Sequence, residues 1–179
     1  MVDDRLLAGL RAGNPQALRS VYERHKQDVL AVAAAVLGRT AASEAWDVLH
    51  DVFLGMARNA PSLSPDTNLR AYLTRAAANR AKDRHRRMRP ATTAEAAEAV
   101  PSEEATILDH LERDEEAAAL WQVIADLPED QRTVVALRIW GDLSFREIAE
   151  QQSISENTAQ SRYRYALEKL RKHYQGVER

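Results

Sequence analysis

Polar side chains that can hydrogen-bond to DNA lie close together in residues 155–165, near the C-terminal end of the chain. Gln160 can make a bidentate contact to adenine and Arg164 to guanine, whereas Ser161 and Arg162 belong to types that also hold phosphates. Apolar or small residues recur through the same stretch at helical spacing, so a helix would turn the polar side chains to other faces. These apolar or small positions are Thr158, Ala159, Ala166, Leu167 and Leu170. The pattern predicts a helix that inserts a polar, basic face into DNA.

Two short helices joined by a tight turn would position this face. Ser144 can cap a first helix, and the side chain of Glu147, three residues later, can accept a hydrogen bond from the Ser144 backbone N–H, which makes a capping box. Ser155 then caps a second helix after only a few turn residues. The spacing therefore predicts a helix-turn-helix. The alternative interpretation is a solvated helix that closes an ordinary α-helical bundle, because short capped helix pairs are common.

Composition describes a globular chain with an uneven charge distribution. The 179 residues are 45% hydrophobic and 29% charged, which leaves room for one or two small domains. The net charge of −2 argues against a uniformly basic nucleic-acid binder. However, the segment from Asn79 to Arg89 contains six basic residues and one acidic residue, whereas Pro90–Ala119 contains nine acidic residues and a single arginine. Two basic regions thus flank an acidic one.

Helix signals are frequent and strand alternation is scarce, so we expect an all-α fold. We predict a helix after Asp3 or Asp4, helices over 15–37, from Ser43 to before Pro61, and over 69–88, and a loop over 61–68. Residues 90–112 have the composition of a flexible acidic linker. The predicted architecture is two small helical domains, 1–89 and 113–179, joined by that linker, with the helix-turn-helix in the second.

Other classes of protein have little support. The five histidines show no metal-type spacing with carboxylates, and no glycine-rich phosphate loop occurs, so we expect neither an enzyme nor a cofactor. The chain contains no cysteine, which excludes a disulfide framework and suits a reducing compartment. It shows no signal-peptide pattern and no membrane-spanning apolar stretch. We therefore expect a cytoplasmic protein.

Several motifs together resemble the extracytoplasmic-function sigma factors of bacterial RNA polymerase. In the second half, residues 127–132, 143–149 and 157–171 are similar to the −35-reading domain of that family. In the first half, residues 6–8 with 13–18, 47–54, and 69–73 with 79–83 are similar to its core-binding and −10-binding region. Each motif alone is weak, but they cover nearly the whole chain in the expected order.

This resemblance implies a subunit that gives RNA polymerase its promoter specificity. The first domain would bind core polymerase and the −10 element, and the second would bind the −35 element. The acidic and apolar face of the third helix would contact the polymerase through Asp47, Val48, His50, Asp51 and Leu54. The linker would lie in the basic RNA path of the polymerase. Many members of the family are held by an anti-sigma factor, and the sequence identifies none for this chain.

The resemblance also assigns DNA contacts residue by residue. Melting a duplex requires pockets and stacking surfaces for extruded bases, together with cations along the backbone. The loop would hold a flipped base, and the fourth helix would engage the −10 element. The −10 candidates are Ser62, Leu63, Asp66, Asn68, Tyr72, Asn79, Asp83, Arg84, Arg86 and Arg87. The −35 candidates are Ser155, Asn157, Thr158, Gln160, Ser161, Arg162, Arg164 and Tyr165.

Some positions depart from the family pattern. Ser153 stands where the turn glycine is usual, and a left-handed residue other than glycine carries strain. Gln160 replaces a commonly basic residue, so we expect an unusual −35 preference. A polymerase-independent helix-turn-helix regulator remains an alternative, although it would need a dimer on palindromic DNA and would not need the Asp47–Phe53 face. A helical adaptor that binds only proteins is the third interpretation.

Overall fold

The computed structural model describes residues 2–38, 42–88 and 115–177, and the regular structure in these ranges is entirely helical. This confirms the predicted all-α class. The helices are α1 (Val2–Arg11), α2 (Pro15–Leu37), α3 (Ala42–Asn59), α4 (Leu69–Met88), α5 (Glu115–Ala125), α6 (Glu129–Ile139), α7 (Phe145–Gln152) and α8 (Glu156–Val177), with a short 3-10 helix at Ala60–Ser62.

Local signals account for most helix ends. The Asn14 side chain accepts a hydrogen bond from Gln16 N at 2.8 Å, and Pro15 follows as the first helical residue, so α2 begins where the sequence predicts. Gly38, with φ of 76°, ends it. Two predicted boundaries were wrong. Helix α1 begins at Val2, before the aspartates, and the predicted loop begins with the 3-10 helix rather than at Pro61.

Helix α2 is the centre of the first half and packs against α1, α3 and α4. Fully buried apolar side chains from these helices form its core, among them Leu30, Leu49 and Leu73. In the second half, α6 packs against α8, and α7 packs against α8 as well. Ala159, Ala166 and Leu170 of α8 are buried as predicted, but Leu167 is 41% exposed and was wrongly placed in the apolar stripe.

The two halves contact each other directly. Helices α2 and α4 pack against α6, and one continuous apolar cluster includes core residues of both halves. The Arg132 guanidinium is buried there and donates to the Val36 carbonyl oxygen at 3.2 Å and to the Leu127 carbonyl oxygen at 2.9 Å. Burial lowers the pKa of Arg132. The predicted acidic linker lies outside the described residues, and the domain boundaries stay a prediction.

In the described part of the chain, none of the helices is both long enough and apolar enough to cross a membrane.

Candidate nucleic-acid interface

The helix-turn-helix has the predicted capping geometry. Ser144 Oγ accepts a hydrogen bond from Glu147 N at 3.2 Å, and Ser144 N donates to Glu147 Oε2 at 2.9 Å, which completes the capping box. Hydrogen bonds from the Ser144 backbone and hydroxyl lower the pKa of the Glu147 carboxyl group. At the next helix start, Thr158 N donates to Ser155 Oγ at 3.0 Å. Both predicted caps are confirmed.

The turn between α7 and α8 depends on a left-handed serine. Ser153 has φ of 53° and ψ of 45°, a conformation that glycine adopts without the penalty of a side chain. Its position ends α7 and lets the chain turn into α8 within three residues. Across this turn the Phe145 and Tyr163 rings meet edge to face, with centroids 5.4 Å apart, so the two helices are held at a fixed angle.

The outer face of α8 presents most, but not all, of the predicted −35 candidates to solvent. Ser155, Asn157, Gln160, Arg164 and Tyr165 are exposed. The Arg164 guanidinium lies over the Tyr165 ring at 5.3 Å, and Gln160 Nε2 donates to Glu156 Oε1 at 3.2 Å. Gln160 and Arg164 lie in the first three turns of α8, and both side chains are exposed.

The other −35 candidates are less accessible. Thr158 and Ser161 are half-buried. Arg162 turns back toward α6, where its Nη2 atom lies 2.7 Å from Asp130 Oδ2. This ion pair ties α8 to α6, so Arg162 positions the helix in this structure rather than extending from it.

The predicted −10 candidates divide between the α3–α4 loop and α4. In the loop, Ser62 Oγ donates to the Asn59 carbonyl oxygen at 2.8 Å, and Asn68 Oδ1 accepts from Ala71 N at 3.0 Å as the cap of α4. Asp66 is exposed beside them. The prediction that Leu63 contacts the −10 element is corrected, because its side chain is buried in the core and is not presented to a ligand.

On α4, the basic run is partly neutralised within the protein. Arg84 is bonded to Glu44 and lies 2.6 Å from Asp47 Oδ2 and 3.7 Å from Asp51 Oδ2, all on α3. Arg86 is paired with Asp83 one turn earlier. Asn79, Arg86 and Arg87 are exposed, whereas Tyr72 is half-buried. The sequence did not predict the role of Arg84, since an arginine's partner on another helix leaves no local pattern.

A shallow apolar groove lies on the outer side of α2 and α3. Its volume is about 450 Å³, and two of the predicted core-binding residues, His50 and Leu54, line it together with Leu18, Tyr22 and Phe53. Leu54 is 56% exposed and adjoins the other apolar side chains of the groove, so the exposed apolar surface here is a patch rather than one side chain. Sequence analysis missed Leu18 and Tyr22, because their helical spacing is also that of core residues.

The remaining core-binding candidates do not lie in the groove. Val48 is fully buried, so its assignment to a partner-binding surface is corrected. Asp47 and Asp51 are exposed and lie on the side of α3 that faces Arg84. The helix therefore presents two surfaces, one apolar and one acidic, rather than the single mixed face predicted from the sequence.

The described residues contain no group of histidines and carboxylates arranged to hold a metal ion.

Comparisons with known proteins identify relatives of both halves. The model of sigma-70 region 2 matches residues 21–90, and the model of sigma-70 region 4 matches residues 117–170. The chain is 30% identical to the RNA polymerase sigma-H factor of Pseudomonas aeruginosa, over 99% of this chain and 96% of that protein. It is 40% identical to the ECF RNA polymerase sigma factor RpoE of Cereibacter sphaeroides, in an alignment that spans only 41% of this chain and 40% of that protein.

A solved structure has the same fold. The structure of CnrH in complex with the cytosolic domain of CnrY superposes with a TM-score of 0.66 at 24% sequence identity, and the match covers 98% of this chain and 99% of CnrH. The similarity extends across both halves.

Proposed function

The chain belongs to the extracytoplasmic-function sigma factors of the sigma-70 family, and we propose that it directs promoter-specific transcription initiation by bacterial RNA polymerase. It binds core polymerase through the first half, opens and holds the −10 element with the α3–α4 loop and α4, and reads the −35 element with α8. The observation that carries this proposal is the presence, on one chain, of an apolar groove for a protein partner and a helix-turn-helix with an exposed polar face.

The groove supports core binding by the first half. Exposed Leu54 with half-buried Leu18 and Tyr22 offers an apolar centre, and polar residues surround it. A DNA-binding regulator that acts alone has no need of such a surface. The acidic side of α3 adds charges that suit a basic partner surface, although Arg84 already occupies part of it.

The −35 contacts are proposed for the exposed residues of α8. Asn157, Gln160 and Arg164 have the donors and acceptors that distinguish bases in the major groove, and Ser155 and Tyr165 border them. The proposed −10 contacts are Asn79, Arg86 and Arg87 on α4 together with Ser62, Asp66 and Asn68 of the loop. The cationic side chains of Arg86 and Arg87 hold the phosphate backbone of single-stranded DNA while a base leaves the stack.

An anti-sigma factor is a further proposed partner. The structure of CnrH was solved with the cytosolic domain of CnrY. A protein that restrains this chain would have to cover the surface that core polymerase uses, and the groove of α2 and α3 is an apolar surface that fits that role.

The first test is to mix the purified chain with bacterial core RNA polymerase, follow co-elution, and transcribe a pool of upstream fragments from the source genome. Co-elution with transcripts that start at a common promoter motif supports the proposal. Stable binding of DNA by the chain alone, without association with the polymerase, would instead identify an independent regulator. An adaptor would bind polymerase but yield no transcript, and its function would be insensitive to Gln160→Ala and Arg164→Ala.

A further inference from the structure

Helix α8 continues well beyond the residues proposed to read the −35 element. It runs for 22 residues, from Glu156 to Val177, which is about 33 Å at ~1.5 Å per residue. The proposed base-reading residues Asn157, Gln160 and Arg164 all lie in its first three turns. The turns that follow carry further charged side chains, which the proposed function does not use.

The reading face of α8 extends into these later turns. Arg171 follows Arg164 by seven residues, and Lys172 follows it by two steps of four residues, so all three share one face of the helix. Both Arg171 and Lys172 are exposed. Residues 164–173 contain four arginines and lysines and a single acid, Glu168, which lies on the same face. Beyond its reading residues, α8 therefore presents a mainly positive surface that points in the same direction.

Neither ion pairing nor the helix dipole accounts for this pair of cations. In the part of the chain that the structure describes, Arg171 and Lys172 form no ion pair, although Glu168 precedes them by three and four residues. By contrast, Arg162 of the same helix is paired with Asp130. The helix macrodipole favours cations in the last turn, and the last turn of α8 contains no basic residue. The two positive charges are thus available to a ligand.

The dimensions of DNA indicate what that ligand is. The major groove is about 12 Å wide, and the axial distance from Asn157 to Arg164 is about 10.5 Å at ~1.5 Å per residue. Arg171 lies the same distance again beyond Arg164. When the reading residues fill the groove, the next two turns of α8 pass over its wall, where the phosphates of the backbone lie.

We propose that Arg171 and Lys172 bind the phosphate backbone that flanks the −35 element, and that they add affinity without reading sequence. The proposal rests on the proposed function, since it requires α8 to lie in the major groove of that element. Each cation that neutralises a phosphate releases condensed counterions, so binding weakens with salt by a slope of about 0.9 per contact. Glu168, on the same face, opposes this contact because its charge repels phosphate.

The double variant Arg171→Gln/Lys172→Gln, in complex with core polymerase, tests the proposal. Fluorescence anisotropy measures its affinity for a labelled promoter duplex at salt concentrations from about 50 to 200 mM. Loss of two phosphate contacts should reduce the salt slope by about 1.8, so over this range the wild type should lose about tenfold more affinity than the variant. Selection from promoters randomised in the −35 element should return the wild-type motif.

Two further variants serve as controls. Arg5→Gln/Arg11→Gln removes two exposed cations from α1, so it changes the net charge by the same amount and should keep the wild-type salt slope. Glu168→Gln should act in the opposite direction and raise the affinity for the same promoter, again without a change of motif. All of these positions are exposed, so the helical circular-dichroism spectra should match that of the wild type.

The outcomes separate this contact from the proposed function. A salt slope for Arg171→Gln/Lys172→Gln equal to that of the wild type would overturn the phosphate contact. A changed −35 motif would also overturn it, since it would show that the pair reads bases. Failure of the wild-type complex to bind any promoter would refute the proposed function instead, because the phosphate contact is compared only between complexes that bind.

Discussion

Arg84 Nη2 on α4 lies 2.6 Å from Asp47 Oδ2 on α3, so a residue that the sequence predicts to contact the −10 element is bonded to one that it predicts to bind core polymerase. Glu44 and Asp51 approach the same guanidinium. We expect the three acids to compete with DNA phosphates for this arginine. We therefore predict that partner binding on the acidic side of α3 and DNA binding on α4 are linked through this side chain.

Weakening this ion pair should strengthen DNA binding. We expect Asp47→Asn to increase the affinity of the polymerase-bound chain for single-stranded −10 DNA by about 1.4- to fivefold, which corresponds to the ~0.2–1 kcal/mol of an exposed ion pair. Fluorescence anisotropy with a labelled non-template strand measures the effect. Glu23→Gln, which removes an exposed acid paired with Lys26 on α2, is the control and should change nothing. An unchanged or lower affinity of Asp47→Asn would contradict the competition.

The apolar groove predicts a specific effect on polymerase binding. Leu54→Glu places a charge at the centre of the groove and should raise the dissociation constant for core polymerase by about tenfold or more, as expected for a central apolar contact. Because Leu54 is 56% exposed, the helical circular-dichroism spectrum should be unchanged. Leu167→Glu, at an exposed leucine of the other half, is the control. Equal affinities of Leu54→Glu and wild type in a titration would remove the groove from the proposed interface.

Helix α8 should determine the sequence preference at the −35 element. Gln160→Ala and Arg164→Ala each remove a group able to bond a base edge, and we expect each to cost about 1–3 kcal/mol of discrimination at one position of the −35 element. Selection from promoters randomised in that element measures the preference. Glu168→Ala, at an exposed residue further along α8, should return the wild-type motif. An unchanged motif for both test variants would exclude these residues from base contacts.

Arg86, an exposed basic residue of α4, should act differently. The Arg86 side chain is 73% exposed, and Arg86→Ala should weaken binding uniformly across promoter sequences while reducing the salt slope of the association constant by about one. Binding at several salt concentrations to two unrelated promoters tests this. A loss confined to one of the promoters would show that Arg86 reads sequence rather than phosphate.

The pH dependence of stability should include a contribution from His25. This side chain is buried, and neither ring nitrogen has a hydrogen-bond partner among the described residues. Burial lowers the pKa of His25 from the ordinary 6.5, and this effect exceeds the opposite effect of the negative charges of Asp28 and Asp3, which raise the pKa. Below pH 6.5 the unfolded state binds the proton more readily than the folded state, so stability falls as the pH decreases through this range and is fully present above it.

Removing this imidazole should flatten the pH profile. Urea denaturation of His25→Leu between pH 7.5 and 5.5 should show a smaller loss of free energy of unfolding at the acidic end than wild type. His50→Gln, at an exposed histidine, should follow the wild-type curve. Parallel curves for His25→Leu and wild type would show that another group carries the dependence.

Much of the local structure could be predicted because its causes are local. Asn14 followed by Pro15, Gly38 at the end of α2, and the Ser144–Glu147 capping box each depend on residues within a few positions of one another. Ser153 differs, because only the family resemblance placed a turn glycine at its position, and the structure shows that the serine itself adopts the left-handed conformation. The order of motifs also identified the family, since each motif is a contiguous segment that keeps its position in the chain.

Surface and core were harder to separate within an amphipathic helix. Val48 and Leu54 are apolar residues of α3 in the same predicted partner-binding face, yet one is fully buried and the other lines an open groove. Leu63 was predicted to contact DNA but is buried, whereas Leu167 was predicted to be buried but is exposed. The periodicity of a single helix shows which residues share a face, but only the neighbouring helices decide how wide the covered part of that face is.

The sequence by itself therefore determined the helices, their caps, the helix-turn-helix and the family, because hydrogen bonding and side-chain periodicity within a segment are sufficient for these. Only the tertiary structure decided that Arg84 is bonded to the acids of α3, that Arg132 donates to Val36, and that Arg75 of α4 is bonded to Glu147 of α7. These contacts join residues 33 to 96 positions apart. Their partners are selected by the packing of whole helices, and no local pattern of residues records that selection.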